Sequence, residues 1–164
     1  MIDLRTPLAA LVATGAVLVA LACAGVASAA GGTHTQSFTD NVHGTQTSTQ
    51  LNPCNGDVVD ISSTSNIVNH VTFFPGSDEV WFTFTEEDKV TAVDEGTGVV
   101  YSGHDTVWGN LNINKQNQNS TFTNMIHVTG SDGSTILYHE VTHFTMLPNG
   151  DVSVSFDRPT LSCS

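Results

Sequence analysis

The sequence predicts an all-β domain, a single antiparallel β-barrel of about eight strands with one disulfide; a two-sheet β-sandwich is the alternative. Three observations lead there. Short stretches rich in Val, Ile, Thr, Phe and Trp recur about every ten residues, and Gly, Asn, Asp or Pro clusters bound them. Beyond residue 29 no apolar pattern keeps helical spacing over three turns. Once the leader is set aside two cysteines remain, Cys54 and Cys163, an even count that reads as a disulfide in an exported chain. Such a chain must close on itself or stack two sheets, because open sheets expose pairing edges. Hairpin-like connections favour the barrel.

Residues 1–29 have the pattern of a secretory signal peptide: Arg5, an apolar run from Leu8 to Val26, then Ala27-Ser28-Ala29. A retained membrane span is the first alternative, which the Ala-rich run and its small-residue exit disfavour. Lipidation of Cys23 is the second; Ala20 stands where a large residue is usual. Residues 30–164 then form one secreted domain, long enough for one core and too short for two. A Cys54–Cys163 bond would close a loop of about 110 residues, worth up to roughly 4.7 kcal/mol on chain-entropy grounds.

Asp3 and Arg5 leave with the signal, one acid and one base, so the formal charge stays at −12. The remaining bases, Lys89, Lys115 and Arg158, are scattered. Nucleic acid and anionic lipid both demand a positive footprint, so neither is an expected partner. No stable membrane insertion is expected after signal removal, and no cofactor is implied.

Taken in order, Gly31 to Gln50 is polar and Thr-rich with weak alternation, which predicts one or two short strands. Asn52-Pro53-Cys54-Asn55-Gly56-Asp57 is a tight turn, Asn-Gly being a strong turn dipeptide. Strands follow at Val58–Ser62, Ile67–Phe74 and Glu79–Thr85, the last carrying Val80, Phe82 and Phe84 on one face. Glu86-Glu87-Asp88 is expected to be a solvated acidic corner; it lacks the ligand spacing of a calcium loop. Strands resume at Lys89–Val93, Val99–Ser102 and His104–Asn114, where Val107, Leu111 and Ile113 alternate with Trp108, Asn110 and Asn112. A polar loop at Lys115–Ser120 precedes a strand at Thr121–Thr129. Trp81, Trp108 and Tyr101 are expected in the core.

Ile136 to Met146 lies between the turns Gly130–Ser134 and Pro148–Asp151 and is rich in β-branched and aromatic residues. It contains His139-Glu140-Val141-Thr142-His143, which on a helix would suggest a zinc protease. On a strand, residues four apart stand about 13 Å from each other, so His139 and His143 cannot share a metal ion and Glu140 faces the other way. A type I′ turn at Asn149-Gly150 would pair Leu147 with Val152, Thr145 with Val154 and His143 with Phe156. A Gly130–Ser134 loop would pair His127 with Leu137 and Met125 with His139. His127, His139 and His143 then share a face, which the apolar partners predict to be the inner one, with Glu140 outside. Buried imidazoles need hydrogen bonds or water, so a partly wet lumen is expected there. No metal site is expected, although a cross-strand pair such as His127 and His139 is geometrically allowed. A Gly-x-Ser-x-Gly elbow is absent from the sequence.

Asn52-Pro53-Cys54-Asn55-Gly56, the Gly130-Ser131-Asp132-Gly133 turn leading into Tyr138–His143, and Pro148–Val152 ending at Cys163 together resemble uncharacterised small secreted actinobacterial proteins. The resemblance implies export and a β-rich domain; it implies no activity. The expected function is binding of a small ligand in a lumen marked by His127, His139 and His143. The alternatives are an acidic cell-envelope interaction or structural protein, and an enzyme using a lumen histidine as acid or base. Secretion or retention at the cell envelope suits all three.

Overall fold

The computed structural model describes residues 35–164; the signal peptide at 1–29 and the lipidation alternative at Cys23 lie outside the described residues. Seven strands, β1 (Gln36–Leu51), β2 (Val58–Phe74), β3 (Glu79–Asp94), β4 (Val100–Ile113), β5 (Gln118–Gly130), β6 (Thr135–Met146) and β7 (Val152–Cys163), pair in chain order as one antiparallel meander. The all-β class and the disulfide are as expected. The sheet is not closed: its order runs from β1 to β7, and no β1–β7 ladder completes a barrel.

The strands are longer and fewer than the sequence suggests, because three polar stretches expected to break them continue the ladder. Ser63–Asn66 joins two expected strands into β2, Glu86–Asp88 lies in mid-β3, and Gly103 bridges the two expected halves of β4. Glu86 and Asp88 point to the inward face, as does Ser65, while Glu87 is exposed on the outward face, so two of the three acids of the expected corner are turned inward. Likewise β1 is one continuous strand.

Period-two alternation assigns one face of β2 to β6 to the core. Val59 and Ile61 on β2, Val90 and Ala92 on β3, Tyr101 on β4, Ile126 and Val128 on β5 and Ile136 on β6 form its apolar floor. No second layer covers this face among the described residues, so the sheet covers it by curling. The disulfide measures the curl: the Cα atoms of Cys54, in the β1–β2 turn, and Cys163, at the end of β7, are 5.9 Å apart. In a flat sheet five strand spacings would separate them by roughly 24 Å. Two glycines on the core face of β4 permit the bend. A Cβ on Gly103 would run into the backbone of His127 and Val128, and one on Gly109 into the rings of Phe84 and Phe122.

The last hairpin corrects the expected turn while keeping most of its register. Leu147 N–H donates to the Asp151 carbonyl at 2.8 Å, and only Gly150 in this loop has positive φ, at 87°. A type I′ turn needs positive φ at Asn149 as well; Pro148 instead leads a three-residue loop with a glycine bulge. The extra residue is absorbed between Thr145 and Met146, so Met146 opposes Val152, whereas Thr145–Val154 and His143–Phe156 pair as expected. The β5–β6 register is also as expected, with Met125 opposite His139 and His127 opposite Leu137.

Candidate functional site

His127, His139 and His143 do share one face, but it is the outward face, and His127 and His139 are exposed. The inversion has a physical reason. The deciding side chains on β6 are Ile136 and Tyr138, both buried, and they lie on the opposite parity. Val154 and Phe156 mark an inner face only if β7 is covered, and β7 is exposed along its whole length. His143 accepts or donates to Thr121 Oγ1 at 2.7 Å through Nδ1 and stacks on Phe156 with ring centroids 5.5 Å apart. His70, on the same outward face, is bonded to Thr39 Oγ1 at 3.0 Å. Trp81 and Trp108 are also outside and substantially exposed, whereas Tyr101 is in the core as expected. Among the described residues no three His, Cys, Asp or Glu side chains are arranged to hold a metal ion.

The inward face holds a different constellation. Above the apolar floor, two adjacent cross-strand rows are largely polar. One runs Ser65–Asp88–Asp105–Ile126–Tyr138 and the next Ile67–Glu86–Val107–Asn124–Glu140, from β2 to β6 in each case. Asp88 and Asp105 are directly opposed, a like-charge pair that destabilises a sheet even at the surface. Here both are buried, at 6% and 7% exposure, as are Asn124 at 5% and Ser65 at 3%. One oxygen of each, Asp88 Oδ1, Asp105 Oδ1, Asn124 Oδ1 and Ser65 Oγ, has no hydrogen-bond partner among the described residues. Buried polar atoms are nearly always paired, so four together on one patch call for an explanation.

No cation within the described residues neutralises this band. Lys89 lies on the outward face, Lys115 pairs with Asp78 at 2.8 Å, and the Arg158 guanidinium lies 5.1 Å from the centre of the Phe156 ring. The carboxyls respond accordingly. Burial first, and then the charges of Asp88 and Glu86, push the Asp105 carboxyl up to about 7. Burial and Asp88 also raise Glu86, against a smaller opposing effect of the Ser65 hydroxyl. At the far end of the band Tyr138 donates its hydroxyl to Glu140 Oε2 at 2.9 Å. Burial raises the Glu140 carboxyl; Tyr138 opposes the rise and Asp157 adds to it.

Two apolar zones bracket the band: the floor on the disulfide side, and on the other side Phe84 and Phe122, whose rings lie 6.0 Å apart across Gly109. The patch therefore offers hydrogen-bond acceptors and negative charge beside an aromatic surface.

No protein-family model, curated protein or solved structure matches the chain.

Proposed function

We propose that the protein is an exported binding protein that takes a small ligand onto the buried face of its curled sheet, at Ser65, Asp88, Asp105 and Asn124. The observation that carries this reading is the set of four unpartnered oxygens on side chains that are all more than nine-tenths buried. Unmet polar groups are costly inside a protein and are retained where a ligand meets them. Export agrees with the Cys54–Cys163 disulfide, and no helix among the described residues is long and apolar enough to cross a membrane. Completion of the sheet into a barrel belongs to the same proposal, since ligand capture would draw the two edge strands together. A thermal-shift screen of small molecules, with hits located by amide NMR shifts, tests it. Hits should perturb β2 to β5 around Ser65, Asp88, Asp105 and Asn124; hits confined to the outward histidines would overturn it.

The acidic interaction protein is the second reading, and the exposed Trp81 and Trp108 on the outward face favour it. Capture of a cell-envelope protein that survives Asp105→Asn but is lost in Trp81→Ala would support it. The enzyme reading needs an inward histidine, and His43, His70, His104, His127, His139 and His143 all fall on the outward parity.

A further inference from the structure

We infer that the ligand of this band is a small organic cation, a primary ammonium with a short apolar tail, held by Asp88 and Asp105 with Asn124 and Ser65 as additional acceptors. The inference rests on the preceding reading of the buried face as a ligand site and adds the chemistry of the occupant.

The unpartnered atoms have acceptor capacity in common. Two are carboxylate oxygens and one an amide oxygen, which only accept hydrogen bonds when the acids are ionised; the fourth is a hydroxyl, which can do either. The matching group must therefore supply several N–H or O–H donors from one point. An ammonium supplies three and also brings the positive charge that the band lacks. A neutral alcohol supplies one donor and leaves the opposed carboxylates uncompensated. A quaternary ammonium supplies charge without donors.

Register places the acceptors around one locus. Asp88 and Asp105 are direct cross-strand partners, Ser65 is the direct partner of Asp88 on the other side, and Asn124 opposes Val107, two residues along β4 from Asp105. Direct partners have Cβ atoms about 5 Å apart, close enough for one nitrogen to bridge both carboxylates. Asn124 Oδ1 provides the independent sign of a ligand: it carries no charge, it is buried, and it lacks a donor. Repulsion between acids accounts for none of that. Glu86 extends the negative field along β3. The tail is assigned by the next rows, where Val107 gives way to Phe84 and Phe122, the two rings that close over Gly109. An apolar chain of a few carbons laid along that direction would exchange water for aromatic surface.

Isothermal titration of the mature protein with butylammonium chloride at pH 8 tests the inference, with 1-butanol, tetramethylammonium and calcium chloride as comparison probes. Butylammonium is expected to bind at one site and to displace NMR signals of Ser65, Asp88, Asp105 and Asn124. Asp105→Asn should weaken it at least 10-fold, and Asp88→Asn likewise. Asn124→Ala, which leaves both acids in place, should weaken it by a smaller factor. Far-UV circular dichroism and a cooperative melt establish that each variant is folded, and Asp105→Asn relieves repulsion, so its loss of binding cannot be a loss of fold. Equal affinity for 1-butanol, with signals shifting on the same face, would overturn the cationic assignment while leaving the buried-face reading intact. Calcium binding in place of butylammonium would overturn it in favour of an inorganic ion. Absence of any binding by all four probes, or butylammonium binding untouched by both Asp variants, would overturn it as well; a small-molecule screen that also finds no ligand on this face would remove the broader reading too.

Discussion

Two aspartates on the same face of the same sheet, Asp94 and Asp105, are both buried and have opposite surroundings. Asp94, at the end of β3, is 0% exposed, yet its carboxylate accepts from Asn52 Nδ2 at 2.8 Å, Asn55 Nδ2 at 3.0 Å, and the backbone N–H groups of Gly96 and Thr97 at 3.1 and 2.9 Å. Those bonds, led by Asn55 and Asn52, hold its carboxyl far below the usual range. Asp105 has an unpartnered oxygen and faces another carboxylate, and its carboxyl is pushed up to about 7. The fold can satisfy a buried aspartate when the aspartate is structural: Asp94 ties the β3–β4 turn to the β1–β2 turn that carries Cys54. Asp105 has no such set of donors, and this is the contrast on which the ligand proposal draws.

Breaking the first member of the pair should have the larger effect. Asp94→Ala strands two asparagine amides and two backbone donors at once, and it is expected to lower the melting temperature further than any substitution in the acidic band or among the outward histidines. Removing the neighbouring Cys54–Cys163 bond, whose residues are 109 apart in sequence, is expected to cost about 3–5 kcal/mol in urea denaturation at pH 7. Asp105→Asn should act in the opposite direction. With its carboxyl at about 7 in the folded chain against an ordinary 3.8, Asp105 makes the folded state bind the extra proton between those values. Its favourable contribution is full below pH 3.8 and is lost as pH rises through 7, so the native protein should become less stable across that window. Asn carries no such loss: the variant should be more stable at pH 8, by up to roughly 4 kcal/mol as an upper bound, and should flatten the slope between pH 4 and 7. Glu86, raised in the same direction, leaves a residual slope. The smallest effect is expected from His127→Ala and His139→Ala, which should each stay within about 0.5 kcal/mol of the native stability and leave ligand binding unchanged.

The same contrast explains what could be read in the residues alone. The all-β class and the cysteine pairing depend on composition and on turn residues, which act locally, and the β5–β6 register followed from the length of one loop. The face of β6 could not be read that way. It depends on which edge strand is left uncovered, and β7, with Val154 and Phe156 exposed, carries an apolar pattern without a core to match. The candidate site was hidden by a related confusion. Ser63–Asn66, Glu86–Asp88 and Gly103 each look like breaks because polar, acidic and glycine residues interrupt an apolar strand. The first two breaks, however, fall at one level of the sheet, where Ser65 opposes Asp88, and Asp88 in turn opposes Asp105, two residues beyond the third break. Treating the interruptions as continuous strand and aligning them through the hairpins would have exposed the band; taken one at a time, they mimic turns.

The most direct test is a carbon-13 NMR titration of the Asp105 carboxyl in the purified protein, with and without saturating butylammonium. The free protein should show Asp105 titrating near 7, and a bound ammonium should lower that by about one unit or more, because a cation beside a carboxylate favours its charged form. A carboxyl that titrates in the ordinary aspartate range in the free protein, or one that stays near 7 when the ammonium is bound, would contradict the account.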